Sequence, residues 1–218
     1  MRVFHFFNDR YGLDDILRRR LKVSTFKDLN DPFELFAANL GEPAVRRTFE
    51  QANREYATLV GLLCFSRDWH NPVLWSHYAS GHTGLCLGFD LNDAHLRPVH
   101  YSRKRLNMQT SQPTSRGIID NEFATLCMST KYLHWRYENE VRSFVDLRGS
   151  DSDTDVHYAT FSDDLRLATV IVGVRSQITR QVLTRALGDL AGQVEVFKAR
   201  LAFRSFRVVK QNNPKLWL

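Results

Sequence analysis

The chain has 218 residues, 43% of them hydrophobic and 25% charged, the balance of a globular domain with room for a real core rather than of a disordered or collagenous chain. No apolar run approaches the ~18–20 residues that span a bilayer, and Met1–Phe7 is too short and too soon followed by Asn8-Asp9-Arg10 for a secretory leader, so a cytoplasmic protein is expected. Thirty Lys and Arg against 24 Asp and Glu give a formal charge of +6, which suits an anionic partner and equally suits solvated arginine-rich faces at Arg18-Arg19-Arg20, Arg46-Arg47 and Arg103-Lys104-Arg105.

Without repeats or low-complexity blocks, residues 1–218 read as one domain, and the loop-like stretches Asn107–Arg116 and Arg148–Asp155 isolate nothing able to fold alone. Val3–Phe7 reads as a strand, Asn8 or Asp9 as the cap of a short helix through Leu13, Ile16 and Leu17, and Leu21–Phe26 as a second strand. Asp28-Leu29-Asn30-Asp31-Pro32-Phe33-Glu34 has turn chemistry, and a loop so close to a strand can edge a cleft. After Pro43, Val45, Phe49, Ala52, Tyr56 and Leu59 form one helical stripe leading into an apolar strand, Gly61–Ser66. Strands follow at Gly84–Asp90 and Val99–Ser102, then a helix from about Arg116 to Lys131 and a strand from about Glu138 to Leu147. The continuous apolar run Ala168–Gly173 suits a central strand. Ser176 is placed to cap a helix carrying Ile178, Val182, Leu183, Ala186, Leu187 and Leu190, which Gly192 would end, and strands at Val194–Ala199 and Phe203–Val209 close the chain. Strands outnumber helices and few connections are long enough for crossovers, so the fold class is α+β.

No Gly-x-Gly-x-x-Gly or Walker loop is present, which removes the usual dinucleotide and NTPase readings. Cys64, Cys86 and Cys127 are odd in number, widely spaced and set among apolar residues, as buried reduced thiols are. The most informative stretch is Trp135-Arg136-Tyr137-Glu138-Asn139-Glu140-Val141-Arg142. On a strand, its two glutamates and Arg142 would share a face, either as a solvated ion-paired surface or as a site built around a carboxylate. Asn71–His82 gathers Trp75, His77, Tyr78 and His82 beside serine and glycine, a composition suited to a ligand wall or to core packing; the histidine spacing does not match a helical metal pair, and no metal is expected. His5 lies on the first strand, on the same side as Val3 and Phe7.

Together, Val3-Phe4-His5-Phe6, Asp15-Ile16-Leu17, Val23-Ser24-Thr25-Phe26, Leu29-Asn30-Asp31-Pro32-Phe33, Cys64-Phe65-Ser66, Leu74-Trp75-Ser76-His77-Tyr78-Ala79, Gly88-Phe89-Asp90, Lys131 and Tyr137–Arg142 resemble the uncharacterised bacterial domain-of-unknown-function family number 2971. More distantly, a first strand with a histidine, a second with a serine and a late Glu-x-Glu resemble the order of parts in ADP-ribosyltransferase-like folds. That second resemblance implies a split sandwich of two small mixed sheets with flanking helices and NAD bound as a substrate in the cleft between them. On it, Glu140 would be the catalytic carboxylate, Glu138 would orient or activate the acceptor, His5 would hold the nicotinamide ribose and Ser24 would support the site. Trp75, His77 and Tyr78 would line the site, with ring stacking from Trp75 and Tyr78, and Arg142 would meet pyrophosphate or a nucleic-acid acceptor. The implied activity is ADP-ribosyl transfer to a nucleic acid or protein, in a bacterial toxin or phage-defence setting. A non-catalytic nucleic-acid or protein binding module with a basic surface is the alternative, and removal of an RNA 2′-phosphate with NAD as acceptor is a third possibility.

Overall fold

The computed structural model describes residues 1–34, 37–107, 121–148 and 156–217. The loops expected at 108–116 and 149–155 and the expected helix start at 116–120 lie outside the described residues.

The opening strand and helix form where apolar alternation and capping chemistry place them. β1 (Arg2–Phe7) leads to Asn8, whose side-chain oxygen accepts the Tyr11 N–H at 2.8 Å and so caps α1 (Asp9–Arg18). Arg19, in the left-handed region at φ 55°, ends the helix. β2 (Arg20–Val23) is shorter than expected, because Phe26 begins a 3-10 turn in which the Asp28 carboxylate accepts the Thr25 N–H at 2.9 Å. α2 (Pro43–Leu59), β3 (Val60–Ser66), α3 (Pro72–Tyr78) and β4 (Leu85–Asp90) follow, then the short β5 (Arg97–Pro98) and β6 (His100–Ser102). Next come α4 (Asn121–Met128), β7 (Thr130–Tyr132), β8 (Glu140–Asp146) and β9 (His157–Thr160). β10 (Arg166–Val172), α5 (Arg180–Leu187), β11 (Glu195–Leu201) and β12 (Val208–Lys210) complete the chain.

The strands do not divide into two small sheets. They form one eight-stranded mixed sheet, ordered β12-β11-β10-β4-β1-β3-β8-β5, with two-stranded ribbons β2-β9 and β6-β7 beside it. A single large sheet results because β4 pairs on one edge with β1 and on the other with β10, joining the N-terminal and C-terminal strands in one hydrogen-bonded layer. Only β10 and β11 are parallel within it, and α5 is the crossover between them. The two-residue period sorts the core: Leu85, Leu87, Val170 and Val172 pack on the α1 and α5 side, whereas Cys86 and Ile171 meet Phe6, Leu74, Trp75 and Phe197 on the α3 side.

Further expected boundaries shift for local reasons. Thr179 rather than Ser176 caps α5, accepting the Val182 N–H at 3.3 Å, and Gly188 at φ 53° ends it ahead of Gly192. The last strand covers only Val208–Lys210, because Phe203–Phe206 form the tip of a hairpin closed by the Ala202 N–H to Arg207 carbonyl bond of 2.9 Å. β8 begins at Glu140 and not at Glu138, which instead ends a 3-10 helix, Leu133–Glu138.

The first arginine cluster is part of the framework. Arg18 pairs with Asp14 at 2.8 Å, Arg19 donates to the Ala186 carbonyl at 3.1 Å and also to the Leu187 carbonyl, and the Arg20 guanidinium lies 3.6 Å from the Tyr158 ring centroid. No helix of the described residues is long and apolar enough to cross a membrane.

Candidate active site

A pocket of about 330 Å³ opens where β1 and β3 part. These strands register only at Phe4 and Ser66, whereas β1 pairs with β4 along its whole length, so the β3 side of His5 faces space instead of a neighbouring backbone. The carbonyl of Cys64 is satisfied by the His5 ring, whose Nδ1–H donates to it at 2.6 Å. Because a carbonyl can only accept, Nδ1 carries the proton and Nε2 is left as an acceptor. Burial pushes the His5 pKa down to about 4, so the ring is neutral near pH 7.

The far wall is an ion cluster assembled from three parts of the chain. Glu34 is delivered by the Asp31 turn, in which the Asp31 carboxylate accepts the Phe33 N–H at 2.9 Å and the Asp31 carbonyl accepts the Glu34 N–H at 3.0 Å. Lys131 comes from β7. Glu138, Glu140 and Arg142 come from the junction into β8. Asn139 at that junction is left-handed, with φ 46° and ψ 49°, and this bend lets the glutamates on either side of it converge on one ammonium. Lys131 Nζ lies 2.7 Å from both Glu138 and Glu140 and 3.2 Å from Glu34. Arg142, fully buried, donates to Glu34 through both terminal nitrogens at 2.9 and 2.7 Å, to Glu140 through Nε at 2.7 Å and to the Met128 carbonyl at 2.6 Å.

Charge counting separates the two glutamates of the motif. Glu34 and Glu140 balance Lys131 and Arg142, leaving Glu138 as a surplus negative charge in a buried cluster. Burial raises the pKa of Glu140, but Arg142 and Lys131 outweigh that and hold it at about 2. For Glu138, burial together with the neighbouring Glu140 outweighs Lys131, and its pKa is raised. Burial also lowers the ammonium pKa of Lys131, but the three glutamates overcome it and keep the side chain charged. The Tyr78 hydroxyl donates to Glu138 Oε1 and accepts from Asn30 Nδ2 at 2.7 Å; Ser66 Oγ donates to the Glu138 carbonyl at 2.6 Å. Glu138 is thus the carboxyl group of the pocket whose pKa is raised, and its orientation is set by Tyr78 and Lys131.

Of the residues singled out in the sequence, His5, Ser24, Tyr78, Glu138 and Glu140 line this one pocket. Trp75, His77 and Arg142 do not. Trp75 is a core side chain with its indole N–H on the Trp69 carbonyl at 2.6 Å, His77 is exposed on α3, and Arg142 lies behind the pocket wall, where an external anion would have to displace two glutamates. The strand-face arrangement expected for Glu138, Glu140 and Arg142 holds only for the latter two. The 28–34 turn does edge the cleft, through Asp28, Leu29 and Asn30. Cys64 also lines it, as a thiol whose pKa burial raises well above normal and which is correspondingly unreactive. Glu34 is the member that residue patterns missed, because its partners lie 97 and 108 positions away.

Residues 74–143 match the model of a family described as a protein of unknown function (DUF2971). That segment carries Tyr78, Lys131, Glu138, Glu140 and Arg142. No curated protein and no solved structure matches the chain.

Proposed function

We propose that this chain, whose residues 74–143 match the DUF2971 family model, is a glycosyl-transfer enzyme that cleaves the nicotinamide–ribose bond of NAD and passes ADP-ribose to an acceptor. The observation that carries the proposal is the surplus carboxylate of Glu138, which lines the same nucleoside-sized pocket as His5, whose Nε2 is left as an acceptor. A pocket of about 330 Å³ is at the small end of ligand sites, about 300–1000 Å³, and suits one nucleoside half of a dinucleotide. Its wall has net negative charge, which favours a cationic pyridinium ring and the oxocarbenium ion that forms as the ring leaves.

In the proposed step the C1′–N bond breaks, with both electrons going to the nicotinamide nitrogen, which becomes neutral. The acceptor hydroxyl adds to C1′ and its proton passes to Glu138, from which it returns to solvent. Glu138 therefore serves as base and charge stabiliser, Lys131 and Tyr78 orient it, and His5 Nε2 accepts a hydrogen bond from a ribose hydroxyl. Glu140 is assigned an anchoring role, because Arg142 and Lys131 already occupy both its oxygens. The parallel with ADP-ribosyltransferase-like enzymes lies in the order of these parts along the chain. The test is nicotinamide release from labelled NAD with a bacterial lysate as acceptor source. Glu138→Gln is expected to lower the rate at least a hundredfold, in line with the ~10²–10⁴-fold typical of a positioned base, with its stability retained. Absence of both NAD binding and release in the folded wild-type protein would overturn the proposal.

A further inference from the structure

The hairpin between β11 and β12 concentrates features that the pocket does not use. Phe203 and Phe206 at its tip are 91% and 98% exposed, and Leu201 beside them is 56% exposed. Burial of a phenylalanine ring is favourable, so two rings left almost wholly in water at the tip of a ribbon present apolar surface that a partner can cover. Arginines alternate with them: Arg200 stands 4.7 Å from the Phe203 ring centroid, Arg204 separates the two rings, and Arg207 follows. Among the described residues Arg204 makes no ion pair, and Arg207 reaches a carboxylate, that of Asp68, only at 3.9 Å.

The charge is as concentrated as the rings. Residues 195–210 hold five cations and one carboxylate, a net of +4 against +6 for the entire chain. At the base of the same ribbon a groove of about 290 Å³ is lined by Arg180, Lys198 and Lys210 with Phe197 and Trp217, and by no acidic residue. Arg180 and Lys198 donate there to carbonyls, at 2.9 Å each, so their charges are not neutralised, whereas Lys210 is paired with Glu195 at 2.6 Å. By the two-residue period, Lys198 and Arg200 share one face of β11, which continues the cationic track from the groove toward the tip.

We propose that the Leu201–Arg207 hairpin and the groove at its base bind single-stranded nucleic acid, with bases stacking on Phe203 and Phe206 and phosphates meeting Arg204, Arg207 and Lys198. Phenylalanine has no group to read a base edge but stacks on any base face, and base faces are free only in a single strand. An arginine on one face of the Phe203 ring leaves the other for a base, the cation–π arrangement common to such platforms. The inference stands independently of the NAD reaction, since no pocket residue takes part in it.

Fluorescence anisotropy with labelled 15-nucleotide oligo(dT) and oligo(U) tests it on the full chain. Binding of either oligomer is expected at low salt, weakened about tenfold or more in the Phe203→Ala/Phe206→Ala double variant, whose tip substitutions leave the core and the melting temperature intact. Arg204→Ala should reduce the slope of log K against log salt by about 0.7, the single-strand contribution of one phosphate contact. Glu138→Gln should bind like wild type, which separates failure of this inference from failure of the enzymatic one. Equal binding by the double variant, or binding to phosphatidylserine vesicles but to neither oligomer, would overturn it.

Discussion

Lys131 and Arg142 show why a buried ion pair is judged by what its loss would strand. Each is almost wholly inaccessible and holds carboxylates that are themselves buried. Arg142→Met would leave Glu34 and Glu140 without their main counter-charge, and Lys131→Met would leave Glu138 with no cation while it faces Glu140. Either substitution is expected to cost about 3–5 kcal/mol, read as a shift in the urea midpoint. Glu138→Gln behaves oppositely: it removes the surplus charge, leaves two carboxylates against two cations, and should stay within about 1 kcal/mol of wild type. Similar losses for Glu138→Gln and Lys131→Met would show that the surplus charge is not on Glu138. The residue pattern around 138–142 points to three members of the buried ion cluster, Glu138, Glu140 and Arg142. The division of labour between Glu138 and Glu140 was not legible there, because it depends on Lys131 and Glu34, which no local period connects to them.

At the scale of elements, the site depends on an interruption. A regular strand through 138–142 would have carried both glutamates on one face; the left-handed residue Asn139 instead joins a 3-10 helix to β8 and turns Glu138 into the pocket. Asparagine is among the few residues with a side chain that tolerate this conformation, whereas a β-branched residue is forced out of it. Asn139→Gly should therefore retain folding and the proposed NAD turnover, while Asn139→Val should cost about 1–2 kcal/mol and reduce that proposed turnover by displacing Glu138. Equal behaviour of the two variants in thermal melts would indicate that the bend is not what positions the carboxylate. The strands and helices with clean periodicity, β1, α1, β3, β4 and β10, were legible from sequence because their burial is one-sided or complete. The ends of β8 and α5 were not, because they are set by single dihedral angles at Asn139 and Gly188.

At the scale of the whole molecule, pH acts through buried groups with opposite signs. Asp15, 5% exposed, has its pKa raised to about 7 by burial and by Asp14, so the native state keeps a proton that the unfolded chain releases near 4, and stability is lost as pH rises from about 4 through 7. His5, with its pKa pushed down to about 4, works the other way: the unfolded chain takes up a proton below about 6.5 that the native state refuses, so stability is gained as pH rises over that interval. The two slopes oppose each other between pH 4 and 6.5. Asp15→Asn removes the first, so its stability advantage over wild type should grow from pH 4 to 7 and level off above; a constant difference in urea midpoint across that range would exclude a proton held by Asp15.

The same scale accounts for the charge. Clusters that stand out in the sequence, such as Arg18-Arg19-Arg20, are consumed by carbonyls, Asp14 and the Tyr158 ring, whereas the less conspicuous Arg204 and Arg207 of the C-terminal hairpin are exposed beside exposed rings. A mixed set of strands and helices, a capped opening helix, a central apolar strand near the C-terminal end and a short list of polar residues able to carry chemistry are legible from residue order, since each depends on interactions within a few residues. Long-range packing settles the rest: the strands join one eight-stranded sheet, β1 and β3 part to open a pocket, and Lys131 and Arg142 balance Glu34 and Glu140 while leaving Glu138 in excess. Those outcomes are balances among groups about a hundred residues apart, and electrostatic balance in a buried site depends on distance in space, which sequence separation does not encode.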